Sequence, residues 1–333
     1  MPNRDIVAIG ASAGGLAALK RIAAGLPADL DAAVLVVLHM KSTHRSELPA
    51  ILERAGPLPA GFAEDGGPAT RGRIHVAPPD RHLLLQGDTL RLSRAAWENR
   101  ARPSVDTLFR SVGVCCGSRG IGVVLTGYLD DGSAGLHALG RCGGITVVQN
   151  PADAEFPDMP RHALEATEAD HVVALDALPA LLARLVATPA GPPQPPPPEI
   201  QLEADIMAGA YEDDMAALDR LGSRSVFTCP DCGGVIWELQ DGDALRYRCH
   251  LGHAYSAASF GHAMSEEVTR AMETALRTLE ERGRMLRRLA EQAKRQGQHH
   301  AARLWSERMK TFAQQAETIR EALLRLQSAE DAR

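Results

Sequence analysis

Residues 10–14 read Gly-Ala-Ser-Ala-Gly, a G-x-S-x-G pattern centred on Ser12. An apolar run, Ile6 to Ile9, precedes it, and a stretch of helical periodicity from Leu16 follows. A serine between a buried strand and a helix is placed to be a nucleophile. Small neighbours let the chain turn sharply and present the hydroxyl at the sheet edge. The helix N-terminus adds unpaired N–H groups suited to a developing oxyanion. A serine hydroxyl needs a base, and the base needs an orienting carboxylate. His39 ends the next apolar run, and Asp131 follows a later one, with Asp130 beside it. Each has a plainer reading. Ser12 can cap its helix, either aspartate can cap the helix after it, and a single histidine at a strand end is commonly structural. A dinucleotide fingerprint fits poorly, because Ser12 occupies its middle glycine position and the second strand ends in His39 instead of an acid.

A second constellation lies further on. Cys229, Cys232, Cys249 and His253 form C-x2-C…C-x3-H, the spacing of a closed tetrahedral Zn²⁺ site on two glycine-rich turns, with His250 as the alternative fourth ligand. A closed site leaves no open coordination position, so such a metal serves folding. Cys115, Cys116 and Cys142 lack ligand spacing and read as free buried thiols.

The elements that must position these groups follow from periodicity. The runs 5–9, 33–38, 73–77, 121–125, 145–149 and 171–175 read as strands, with Gly10 ending the first. Residues 82–85 and 89–93 form a hairpin. Helical patterns occupy 47–54, 104–116, 133–141, 160–167 and 178–186, and a further helical stretch is expected around 202–221. Alternating strands and helices predict an α/β, doubly wound, mainly parallel sheet, whose carboxyl edge would gather Ser12, His39 and Asp131. Domain boundaries are expected at a catalytic domain 1–187, a proline-rich linker 188–200, a zinc-ribbon-like module 201–263 and a helical hairpin 264–333, turning at Gln296-Gly297-Gln298.

A net charge of −6 argues against nucleic-acid binding, and no apolar run or leader-like segment implies membrane insertion, so a cytoplasmic protein is expected.

The segments GASAGG, VVLHM, RPSVDTLFRS and LTGYLDDGSAG resemble the catalytic domain of the chemotaxis protein-glutamate methylesterases, the CheB type, over about Asp5 to Val186. The resemblance implies Ser12 as nucleophile, His39 as base and Asp131, over Asp130, as orienting acid. It implies the backbone N–H groups of Ala13 and Tyr128 as oxyanion donors, and Arg102 and 103–106 as the cleft border, with Asp106 equally readable as a first-turn helix acid. The implied reaction is hydrolysis of glutamate γ-methyl esters, with possible deamidation of glutamine, on a methylated chemoreceptor or receptor-like signalling partner. It needs no catalytic metal. The sequence departs from the family in two ways. No receiver domain is expected before Asp5, so regulation is expected to differ, and Leu129 stands where the family has glycine. A scaffold that docks on receptors and recruits signalling partners through the zinc module and C-terminal helices is the alternative.

Overall fold

The computed structural model describes residues 2–40, 46–209, 214–241 and 244–330. Thirteen strands are present among them: β1 (Ile6–Ala11), β2 (Ala33–Leu38), β3 (Ala60–Phe62), β4 (Arg73–Val76), β5 (His82–Gln86), β6 (Thr89–Ser93), β7 (Gly120–Val124), β8 (Ile145–Gln149), β9 (His171–Val173), β10 (Gly222–Thr228), β11 (Val235–Asp241), β12 (Ala244–Cys249) and β13 (Ala254–Ser256). The helices are α1 (Gly15–Gly25), α2 (Leu48–Ala55), α3 (Val105–Cys116), α4 (Ser133–Arg141), α5 (Asp158–Ala166), α6 (Leu178–Val186), α7 (Pro198–Met207), α8 (Asp214–Leu221), α9 (Ala257–Arg295) and α10 (His299–Glu330).

Seven strands form one parallel sheet in the order β3-β4-β2-β1-β7-β8-β9. The central strands lack polar alternation because both faces are covered. Val7 and Ile9 of β1 and Val34 and Val36 of β2 pack on the side of α1, α2 and α6. Ile6, Ala8, Leu35 and Val37 pack on the side of α3, α4 and α5. Chain order reverses between β1 and β7, which creates the crevice where such sheets hold ligands.

Two expectations are corrected. Gly10 does not end β1, which runs on to Ala11. The glycine is there because a Cβ would strike the side chain of Val105 at the start of α3. The expected helical stretch 202–221 is two helices, α7 and α8, with 210–213 outside the described residues. The proline-rich linker ends as Pro198 opens α7, a position where its missing N–H costs nothing.

The chain divides into two compact units, Met1–Phe260 and Gly261–Arg333. In the first, β10-β11-β12-β13 form a separate antiparallel sheet, the cysteine module. In the second, α9 and α10 turn at Gly297 (φ 72°), with Arg320 paired to Glu280 and Arg282 over the Phe312 ring.

Candidate active site and metal centre

Register decides what emerges at the carboxyl edge. Ala11 pairs with Leu38, so the next residues, Ser12 and His39, leave the sheet at the same level. The ladder continues past the strands, since His39 N–H donates to Ala11 O (3.1 Å) and Ser12 N–H to Thr126 O (3.0 Å). Gly127 then passes directly against Ser12. A Cβ there would sit 2.7 Å from Ser12 Cβ and would overlap Met159. Tyr128 follows with its ring 4.6 Å from that of Phe156, and it is 55% exposed.

Ser12 Oγ lies 3.2 Å from His39 Nδ1, and His39 Nε2 lies 2.7 Å from Asp131 Oδ2. An ionised carboxylate only accepts, so Nε2 carries the ring proton and Nδ1 turns its lone pair to the serine. That arrangement can take the hydroxyl proton as the oxygen attacks an acyl carbon. The cleft above it, about 380 Å³, is lined by Leu16, Ala17, Lys20 and Leu38 as well as Ser12 and His39. Asp130 does not meet His39. It borders a separate cleft of about 510 Å³ with Ser133 and His162, and burial raises its pKa.

Asp131 is buried and accepts from five donors. Oδ2 takes His39 and the Val105 N–H (2.7 Å), while Oδ1 takes Ser104 Oγ (2.8 Å), Asn99 Nδ2 (3.1 Å) and the Asp106 N–H (3.2 Å). Burial alone would raise its pKa, but the His39 hydrogen bond and charge, with the Val105 and Asn99 donors, hold it below the usual range. Asp106 is raised, by burial first and then by the Asp131 charge. Its Oδ1 accepts the Gly132 and Gly135 N–H groups that open α4. Arg102, expected at the cleft border, pairs with Asp80 (2.6 Å), and Asp106 is buried, bordering the cleft that Asp130 lines. Composition and periodicity gave no signal for Asn99, Ser104 or Asp106 as supports of this carboxylate.

In the cysteine module, ligand atoms of Cys229, Cys232, Cys249 and His253 all lie within 4.8 Å of one another. Cys232 Sγ is 3.7 Å from Cys249 Sγ, and His253 Nδ1 is 3.4 Å from Cys249 Sγ and 3.8 Å from Cys229 Sγ. A tetrahedron with metal–sulfur bonds of about 2.3 Å has edges of roughly 3.8 Å, so this donor set could hold a metal ion. His250 stands apart, its ring over Gly234 and its Nδ1 buried without a hydrogen bond.

The sequence profile described as CheB methylesterase matches residues 7–182. A relative from Leptospira interrogans is 38% identical over 174 residues, 52% of this chain and 90% of its own. "Protein-glutamate methylesterase/protein-glutamine glutaminase 3" of Anaeromyxobacter dehalogenans is 44% identical over 176 residues, covering 52% of each chain. A crystal structure titled as the Thermotoga maritima CheB methylesterase catalytic domain is 31% identical, with a TM-score of 0.53 over 55% of this chain and 98% of that one.

Proposed function

The chain belongs to the CheB methylesterase family, and we propose that it hydrolyses glutamate γ-methyl esters on chemoreceptor-type proteins, with glutamine side chains as a second substrate. The observation that carries this reading is the Ser12–His39–Asp131 relay at the carboxyl edge of the sheet. Ser12 Oγ attacks the γ-carbonyl carbon while His39 Nδ1 takes the hydroxyl proton. Asp131 keeps the imidazole in the required tautomer and balances the imidazolium charge. The tetrahedral oxyanion is received by the N–H groups of Ala13 and Tyr128 and by the start of α1. The carbon–oxygen bond to the methoxy group then breaks, and His39 returns the proton so that methanol leaves. Water, deprotonated by His39, cleaves the acyl-enzyme to glutamate and free Ser12. With glutamine the leaving group is ammonia.

Methanol release from a methylated receptor fragment tests this reading. Turnover by the wild type that disappears in Ser12→Ala supports it. A wild type without turnover favours the docking-scaffold reading instead.

In the cysteine module, Zn²⁺ held by Cys229, Cys232, Cys249 and His253 fits the thiolate and imidazole chemistry of the donor set. All four positions of a tetrahedron are taken, so the ion serves folding. One zinc per wild-type chain, lost in Cys229→Ser/Cys232→Ser, is the expected analysis. Among the described residues no helix is long and apolar enough to cross a membrane, and the reading places the protein in the cytoplasm with its substrate.

A further inference from the structure

The family match ends at residue 182, yet the cysteine module beyond it packs against the catalytic residues' own supports. The segment 97–99 lies alongside β13, where Ala254 N–H donates to Trp97 O (3.1 Å) and Asn99 N–H to Ala254 O (2.8 Å). Beside that ladder, the two faces are locked by buried charge. Glu98 meets Arg110 (2.8 Å) and Arg248 (3.4 Å), and Glu203 meets Arg110 (2.9 Å) and Arg246 (2.7 Å). Side chains of Glu98, Arg110, Glu203 and Arg248 are at most 3% exposed. Such a network is weak evidence for stability but fixes register, because a shifted seat would leave a charge buried and unpaired.

At the end of this seam stands Asn99, in a left-handed conformation (φ 49°) that asparagine tolerates. Its Oδ1 accepts from the Ser256 backbone N–H (2.9 Å) and from Ser259 Oγ (3.0 Å). Its Nδ2 donates to Asp106 Oδ2 (2.7 Å) and Asp131 Oδ1 (3.1 Å). A backbone N–H can only donate, so the atom facing Ser256 must be the amide oxygen, and the nitrogen must face the two carboxylates. Without the 256–259 segment, the amide oxygen loses both of its donors, and the side chain is held only through its nitrogen by the two carboxylates. A flipped amide would turn its oxygen on Asp131.

Resting on the esterase reading above, we infer that Asn99 is a positioning residue through which the cysteine module sets the catalytic carboxylate. The module is then part of the active-site support. Loss of its metal acts on Ser12 by way of Ser256, Asn99 and Asp131.

The test uses the full chain, with a fluorophosphonate that labels an activated serine and with methanol release for kcat and KM. Asn99→Asp keeps the left-handed conformation and the acceptor for Ser256 and Ser259, but removes the donor to Asp131. It is expected to lower kcat and the labelling rate at least about 100-fold, with KM within about twofold. Ser259→Ala removes one of two hydrogen bonds on Oδ1, and should lower both rates about two- to tenfold while remaining folded. Stripping the metal with a chelator should slow labelling and speed amide hydrogen exchange over 97–107 together, and Zn²⁺ should reverse both. A labelled wild type whose variants and metal-free form react at the wild-type rate overturns the inference alone. A wild type that is never labelled overturns the esterase reading, and this inference with it.

Discussion

Asp131→Asn is the substitution for which the structure fixes the outcome most closely. The side chains are isosteric, so the question is which way the new amide points. At the Oδ1 position it would confront Asn99 Nδ2, Ser104 Oγ and the Asp106 N–H. At the Oδ2 position it would confront only the Val105 N–H and His39. Hydroxyls rotate and imidazoles change tautomer, but amide donors do not, so the count is two fixed donors against one. The new NH₂ group therefore sits at Oδ2 and donates to His39 Nε2. The ring proton moves to Nδ1, which then faces Ser12 as a donor and can no longer accept its proton. By the general behaviour of serine triads, kcat falls about 10⁴-fold, a barrier increase of about 5 kcal/mol. Folding is weakened far less. One N–H at the start of α3 loses its acceptor, which costs about 1–3 kcal/mol. Methanol release and urea unfolding on the same preparation measure both. A variant that keeps more than a tenth of wild-type kcat while folded would refute the assignment of Asp131 as the tautomer-fixing group.

Other perturbations follow from the same geometry. Gly10→Ala drives a methyl group into Val105, and should cost about 1–3 kcal/mol of stability in urea and some activity, since Val105 carries a donor to Asp131; a neutral result would mean that α3 can move freely. Leu129 has φ 60° and is partly exposed, so Leu129→Gly relieves about 1–2 kcal/mol of backbone strain against about 0.4–1 kcal/mol of added unfolded-state entropy. A small net gain in stability is expected, and a loss above about 1 kcal/mol would contradict it. Acid should destabilise the first unit. Burial alone would raise Glu203, but the charges of Arg246, Arg110 and Arg248 bring it down to about 2, and Glu98 is lowered in the same way by Arg110 and Arg248. Carboxyls depressed in the folded state contribute stability that is complete above about pH 4.5 and is lost as pH falls toward 2, on the order of 3 kcal/mol for Glu203. Asp106, whose pKa is raised, works in the opposite direction. Urea midpoints at pH 6, 4 and 3 should decline in that order, and a flat series would rule the network out as an acid-sensitive element.

The parallel sheet was legible in the sequence because its strands are buried on both faces, and unbroken apolar runs such as 33–38 have few alternatives. The three-residue β3 escaped notice because Ala60, Gly61 and Phe62 carry no period. The order of Ser12, His39 and Asp131 along the chain was readable, since each ends or follows an apolar run. Their support was not. Asn99 lies in Trp-Glu-Asn-Arg, a stretch without periodicity, and its partners at 254–259 are more than 150 residues away. The buried arginines at 110 and 248, and the half-buried one at 246, occupy helix and strand positions that would ordinarily face water. Only tertiary pairing with Glu98 and Glu203 makes their burial tolerable.

The segment Arg102-Pro103-Ser104-Val105-Asp106 acquires a different meaning in three dimensions. Besides Asp106 bordering the cleft that Asp130 lines, it is the seat of the Asp131 carboxylate. Asp131 lies in the loop before α4 yet binds N–H groups at the start of α3, while Asp106 lies in the first turn of α3 yet binds N–H groups at the start of α4. Each carboxylate caps the other's helix, in the place where a negative charge meets the positive end of the helix dipole. Two such groups cannot both hold a full charge in a buried site, and the opposed shifts assign the charge to Asp131. Three of the five donors on Asp131 come from the consecutive residues 104–106, and a fourth comes from Asn99. Any shift in the first turn of α3 therefore changes the carboxylate before it changes the serine. The residues following the proline-rich linker reach this carboxylate through Asn99, so that, on the inference above, control of the enzyme lies in the orientation of Asp131.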